Sequence, residues 1–173
     1  MSEQVPIFLV GPMGAGKTTI GRHLARLLGR SFVDLDLEIE QSCGADIAWI
    51  FDVEGEAGFR KRESAMLREV ASSHNMVIAT GGGVVLDSDN RVQLKRSGTV
   101  VYLSVAAKVL YSRMQQDTKR PLLKVDDKKA MIESIVKERE PLYREIADIV
   151  FDGHKKTPAA AAQELAGLIR QQV

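Results

Sequence analysis

One cysteine, Cys43, in 173 residues excludes a disulfide framework and a thiolate metal centre. No apolar run approaches the ~20 residues that span a bilayer, so no membrane partner is expected. Excess charge is missing too: 24 basic residues face 23 acidic ones, a formal net charge of +1. That balance argues against the electrostatic footprint of a nucleic-acid-binding surface. An anionic ligand must therefore be held by locally placed arginines, not by a global field. The segment Met1-Ser2-Glu3-Gln4 lacks the basic flank and apolar stretch of a secretion signal, which predicts a cytoplasmic protein. No repeat, low-complexity tract or interdomain linker interrupts the chain, and no extended apolar surface segment stands out, which predicts a monomer. What is present is ordinary soluble composition, 45% hydrophobic and 27% charged, enough for a single domain over 1–173 with a substantial core.

The most informative stretch is Gly11-Pro12-Met13-Gly14-Ala15-Gly16-Lys17-Thr18, which fits G-x-x-x-x-G-K-[ST]. It follows the apolar run Ile7–Val10 and precedes a helical pattern, the context a phosphate cradle requires. Glycines let the backbone turn tightly and approach phosphate oxygens. Successive N–H groups from Gly14 to Thr19, with the positive end of the following helix, then face the anion. Lys17 would reach the β- and γ-phosphates, and the Thr18 hydroxyl would ligate Mg²⁺. A flexible glycine turn with a chance lysine is the competing reading, and the strand–loop–helix context weighs against it.

Short apolar runs recur at Ile7–Val10, Phe32-Val33, Met76–Ala79, Val100–Leu103 and Ile149–Phe151, separated by helical patterns. Continuous hydrophobicity marks strands covered on both faces, so the chain reads as α/β with five parallel strands. Ile20, Leu24, Leu27 and Leu28 give the first helix its apolar face, and Gly29 its stop. The second strand runs into Asp34-Leu35-Asp36, where two acids spaced by two on extended chain point the same way. A helix-capping aspartate pair is the alternative. Ala45 to Ser73 reads as helix broken at Gly55 and Gly58, carrying Trp49, Phe51, Phe59 and the charge run Arg60-Lys61-Arg62-Glu63. The third strand leads into Thr80-Gly81-Gly82-Gly83, glycines suited to close approach of backbone and ligand. It lacks the terminal aspartate of a Walker B segment, leaving strand two to supply a magnesium-side acid. Residues 115–123, polar and cationic with Pro121, read as a mobile loop in which Arg120 could close over a γ-phosphate. A helix over Asp126 to Ala147 carries Arg139 and is expected to break at Pro141. Thr157-Pro158 starts the last helix, with Ala161, Leu165, Leu168 and Ile169 as its buried face. His23 is expected to face solvent, and Cys43, His74 and His154 stand isolated, with no chemistry assigned.

Together these segments resemble bacterial shikimate kinases over essentially the whole chain. The resemblance rests on Gly11–Thr18, Asp34-Leu35-Asp36, Gly58-Phe59-Arg60-x-x-Glu63, Thr80–Gly83, Lys119–Leu123 and Arg139-x-Pro141-Leu142-Tyr143. It implies a three-layer P-loop kinase fold with strand order 2-3-1-4-5, a substrate lobe over about 34–63 and a lid over about 112–125. It also implies transfer of the ATP γ-phosphate to the 3-hydroxyl of shikimate, in aromatic amino-acid biosynthesis. By that likeness Arg60 and Arg139 grip the shikimate carboxylate, with Gly81, Gly82 and Gly83 supplying backbone. Asp36 holds the ring hydroxyls as base or orienter, and Phe51 and Phe59 shape the pocket. Asp34 and Thr18 serve Mg²⁺, and Arg120 is the lid arginine beside Lys17. Arg113 stacks on adenine opposite Lys156 and Pro158. The alternatives are a gluconate or nucleoside monophosphate kinase on the same scaffold, or a nucleotide switch; a GTP switch would want an N-K-x-D segment, and no Asn-Lys pair occurs.

Overall fold

The computed structural model describes residues 4–172, so Met1 to Glu3, read above for a targeting signal, lie outside the described residues. Five parallel strands form one sheet: β1 (Ile7–Val10), β2 (Ser31–Asp34), β3 (Met76–Ala79), β4 (Thr99–Leu103) and β5 (Ile149–Phe151). Their spatial order is β2-β3-β1-β4-β5, as the resemblance implied. The central strand β1 is wholly buried, because both its faces are covered. Ile7 and Leu9 join a core with α1 (Lys17–Leu28), α5 (Ala107–Met114) and α7 (Pro158–Gln171). Phe8 and Val10, pointing the other way, pack with α2 (Leu35–Cys43), α3 (Ile47–Ala71), α4 (Ser88–Ser97) and α6 (Lys128–Ile146). The outer strands are less covered: β2 has no buried residue, and Val150 of β5 is exposed.

Parallel register puts the carboxyl ends of β1, β2 and β3 side by side, with Leu9 and Asp34 both opposite Ala79. Thr80 then fastens the loop after β3 to the end of β1, since its backbone N–H and its hydroxyl both donate to the Leu9 carbonyl, at 3.1 and 2.8 Å. Because β1 is flanked by β3 on one side and β4 on the other, the loop after it opens at the switch point where ligands of such sheets collect.

Local structure departs from the sequence expectation in several places. The chain turns helical at Leu35, so Asp34 is the last extended residue and Asp36 sits in the first turn of α2. Asp34 caps that helix, accepting from the Leu37 N–H. Only Gly55 breaks α3, in a left-handed conformation (φ 73°) that a side chain would strain. Gly58 stays helical, where a Cβ would lie 2.5 Å from Cβ of Glu54 across the kink. The α6 helix runs through Pro141 without ending. Arg139, Tyr143 and Ile146 are buried on either side of it, so packing outweighs a proline cost of ~3 kcal/mol. Leu27 and Leu168, expected in the core, are exposed at the rims of their helices, and His23 is half-buried.

Candidate active site

The loop after β1 wraps the start of α1. Gly11, Gly14 and Gly16 all hold positive φ (151°, 78° and 96°), and a Cβ on Gly11 would lie 2.7 Å from the Leu103 carbonyl oxygen. Lys17 is buried, and its Nζ donates to the carbonyls of Gly11 (2.6 Å) and Pro12 (2.9 Å). Burial lowers its pKa to about 8, and the charges acting on it are Asp36, Arg120, Asp34 and Arg139. Four groups from three separate segments therefore bear on one ammonium.

Two hollows meet at this loop. One, of about 340 Å³, is lined by Gly14, Ala15, Gly16 and Thr19 on one side and by Arg113, Lys156 and Pro158 on the other. Arg113 donates to the Gly14 carbonyl at 2.8 Å, and Lys156 pairs with Glu164. His154, to which the sequence assigned no chemistry, also lines this hollow, as do Ser104 and Val105.

The second, of about 100 Å³, brings together Asp36, Arg60, Arg139 and Arg120 with Gly81, Gly82 and Gly83, and Phe51 and Phe59 form its apolar wall. Those two rings sit 4.9 Å apart. A larger hollow of about 430 Å³ lies at the opposite, amino-terminal end of the strands, between Val5, Thr99 and Asp148, away from these groups. The polar atoms decide between the two. Asp36 Oδ1, Glu63 Oε2, Arg60 Nε and Arg139 Nε are buried without a hydrogen-bond partner among the described residues. Each such orphan costs ~1–3 kcal/mol, so four around one small hollow mark a place built for a polar ligand.

Glu63 is the residue sequence reasoning left without a role. It is fully buried and holds Arg60 Nη1 at 2.9 Å. A signal existed: Phe59, Glu63 and Leu67 recur every four residues on the buried face of α3. Burial pushes the Glu63 carboxyl up, against the pull of Arg60 and Arg139. Burial likewise raises Asp36 to about 6, with repulsion from Glu63 and Asp34 adding and attraction to Lys17 and Arg60 opposing. The glycines are required here for space. A Cβ on Gly81 would lie 2.8 Å from Glu63 Oε2 and 2.9 Å from Asp36 Oδ1, and one on Gly83 only 2.3 Å from Arg60 Nη2. Gly83→Ala is therefore expected to displace the flexible Arg60 head, raising the KM for the polar ligand about tenfold while leaving Tm nearly unchanged. Steady-state kinetics beside a thermal melt checks both.

Beside the cradle, the Thr18 hydroxyl donates to Asp34 Oδ2 at 2.6 Å. A hydroxyl and one carboxylate suit a hard cation that keeps most of its water and takes phosphate oxygens. No group of three or more His, Cys, Asp or Glu able to hold an ion occurs among the described residues, so this is no all-protein cage. No helix among them is long and apolar enough to cross a membrane.

A family model for shikimate kinase matches residues 13–170. The chain belongs to the shikimate kinase family. A shikimate kinase of Histophilus somni is 49% identical over 170 residues, covering 98% of this chain and 97% of that one. One from Pasteurella multocida is 51% identical with the same coverage. A solved shikimate kinase from Acinetobacter baumannii, in complex with shikimate, superposes with a TM-score of 0.95 at 46% identity, covering 98% of this chain and 94% of that one. A gluconokinase from Sinorhizobium meliloti, at 18% identity and a TM-score of 0.59, shares the fold alone. The protein is thus an ATP-dependent phosphotransferase, and the switch and gluconate readings fall away.

Proposed function

We propose that this kinase moves the γ-phosphoryl group of ATP to the 3-hydroxyl of shikimate, giving shikimate 3-phosphate and ADP. Support comes from the family membership and from the hollow beside the P-loop that gathers Asp36, Arg60, Arg120 and Arg139, which carries the reading. In this reading the hollow of about 340 Å³ beside the P-loop takes the nucleotide, with Arg113 against one face of adenine and Lys156 and Pro158 near the other. The P-loop amides and Lys17 hold the phosphates. Thr18 and Asp34 hold Mg²⁺, which when bound neutralises charge on the phosphates.

Arg60 and Arg139 present planar, fork-shaped donors suited to a carboxylate, so the acid's charged end belongs there. Asp36 then accepts from the ring hydroxyl that attacks, and the Phe51–Phe59 wall takes the apolar ring face. Phosphoryl transfer demands mostly positioning and positive charge, and Lys17 with Arg120 supplies that charge. The segments about 34–63 and 112–125 serve as substrate lobe and lid.

Mass and NMR identification of the product formed from ATP, Mg²⁺ and shikimate tests the reading, with gluconate and AMP as competing acceptors. Turnover with AMP alone would overturn it. Arg60→Ala and Arg139→Ala are expected to raise the KM for shikimate 10- to 100-fold, from the ~1.5–3 kcal/mol of a charged hydrogen bond. The KM for ATP should stay within about twofold, by the same reasoning that charge is lost only at the acid's end. Unchanged shikimate titration of both variants sinks the carboxylate clamp.

A further inference from the structure

The carboxylate clamp, as read above, needs both its guanidinium and its backbone to be held still, and one side chain touches each. Tyr143 lies one turn after Arg139 on the same face of α6. Its hydroxyl donates to the carbonyl of Gly82, sixty-one residues away in sequence. A Cβ placed on Gly82 would lie 3.5 Å from Arg139 Nη1, so hydroxyl, glycine and guanidinium occupy one corner of the hollow. Tyr143 is itself fixed by stacking on Tyr102, ring centroids 5.1 Å apart, and is almost fully buried. Arg139 favours the ionised hydroxyl, burial disfavours it more, and the group stays protonated and able to donate.

We infer that Tyr143 is a positioning residue for the acid substrate: its hydroxyl locks the Gly82 peptide and braces Arg139, so that both meet the shikimate carboxylate in one fixed geometry. The inference rests on the proposed reading of this hollow. Tyr143→Phe keeps the ring and its stacking but takes the donor from the half-buried Gly82 carbonyl and leaves that peptide free to rotate.

The test compares Tyr143→Phe, Tyr102→Phe and Arg139→Ala with the parent in full steady-state kinetics, thermal melts and calorimetric titration with shikimate alone. Tyr143→Phe is expected to raise the KM and Kd for shikimate about tenfold, leaving the KM for ATP within twofold, since the acceptor that fixes the Gly82 peptide loses its donor. Tyr102→Phe removes a hydroxyl from the same stacked pair and should leave both KM values unchanged. Equal losses for ATP and shikimate, or a lowered Tm with unchanged shikimate affinity, would make Tyr143 merely structural and overturn the inference. If Arg139→Ala weakens shikimate binding and Tyr143→Phe does not, the site reading stands and the role of Tyr143 falls. If neither does, both fall. Should Tyr143→Phe not fold, the Gly82 amide resonance of the parent decides: a shift and exchange protection on shikimate addition support the locked peptide, and no change overturns it.

Discussion

Asp36→Asn should lose activity and gain stability together. Turnover is expected to fall ~10²- to 10⁴-fold, the range for a positioned proton acceptor, because asparagine cannot take a proton and offers a weaker acceptor to the attacking hydroxyl. The stability change follows from burial, which lifts the folded-state pKa to about 6 from the usual 3.8. A raised carboxyl pKa means the native state binds the proton more tightly than the unfolded chain does. The resulting stabilisation is complete below about pH 4 and lost as pH rises through 6. At neutral pH the ionised group therefore costs on the order of 2–3 kcal/mol. Asp36 lies in the first turn of α2, where the helix dipole returns only ~0.3–1 kcal/mol, so the net effect is unfavourable. The variant should melt several degrees higher than the parent at pH 7.5, at roughly 2–4 °C per kcal/mol, with the gap closing towards pH 4. Near-normal turnover would remove Asp36 from the chemistry; a lowered Tm at pH 7.5 would remove the burial argument. In the parent, kcat/KM should rise with pH through about 6 as Asp36 ionises and decline through about 8 as Lys17 loses its proton.

Arg120→Ala should strike kcat instead of binding. Arg120 borders the acid hollow and bears on Lys17, yet its side chain is 40% exposed and it pairs with Asp117 at 2.5 Å. Around it the loop is built, not slack: Asp117 Oδ1 accepts from the N–H of Lys119 (2.9 Å) and of Arg120 (3.2 Å), and Lys128 donates to the Asp117 carbonyl. An arginine poised this way stabilises charge that develops only in the transition state, a contribution of ~10³ or more in rate for comparable arginines. Single-turnover mixing should show the chemical step slowed by about that factor, with the KM for shikimate and ATP changed severalfold at most. A large KM effect with kcat preserved would assign Arg120 to ground-state binding.

What could be read from sequence was what local chemistry decides. The phosphate cradle is eight consecutive residues, and five apolar runs located the strands, most plainly in β1, β3 and β4, where burial on both faces leaves no alternation to confuse. The strand-to-helix junction was less legible. Asp34 and Asp36 looked like neighbours on extended chain, but a capping aspartate starts a helix wherever the following residues allow one. Both still turn to the site, by a different geometry. The charge run at 60–63 hid a division of labour. Arg62 bridges to Glu54 at the surface, while Arg60 and Glu63 turn inward as an ion pair. Least legible were contacts between distant segments. Nothing near Tyr143 announces Gly82, and nothing near Asn90 announces that its buried amide donates to the Val84 carbonyl at 3.0 Å, pinning the turn beyond the glycine loop.

Met13 borders the acid chamber and Gly14 the nucleotide chamber, so a single peptide unit, about 3.8 Å from Cα to Cα, forms the wall between them. Inhibitors that join an adenosine fragment to a cyclic hydroxy acid consequently need a tether that follows the phosphate chain past this one peptide, with no detour around the loop. Compounds with longer tethers must buckle into solvent and forfeit the advantage of linkage.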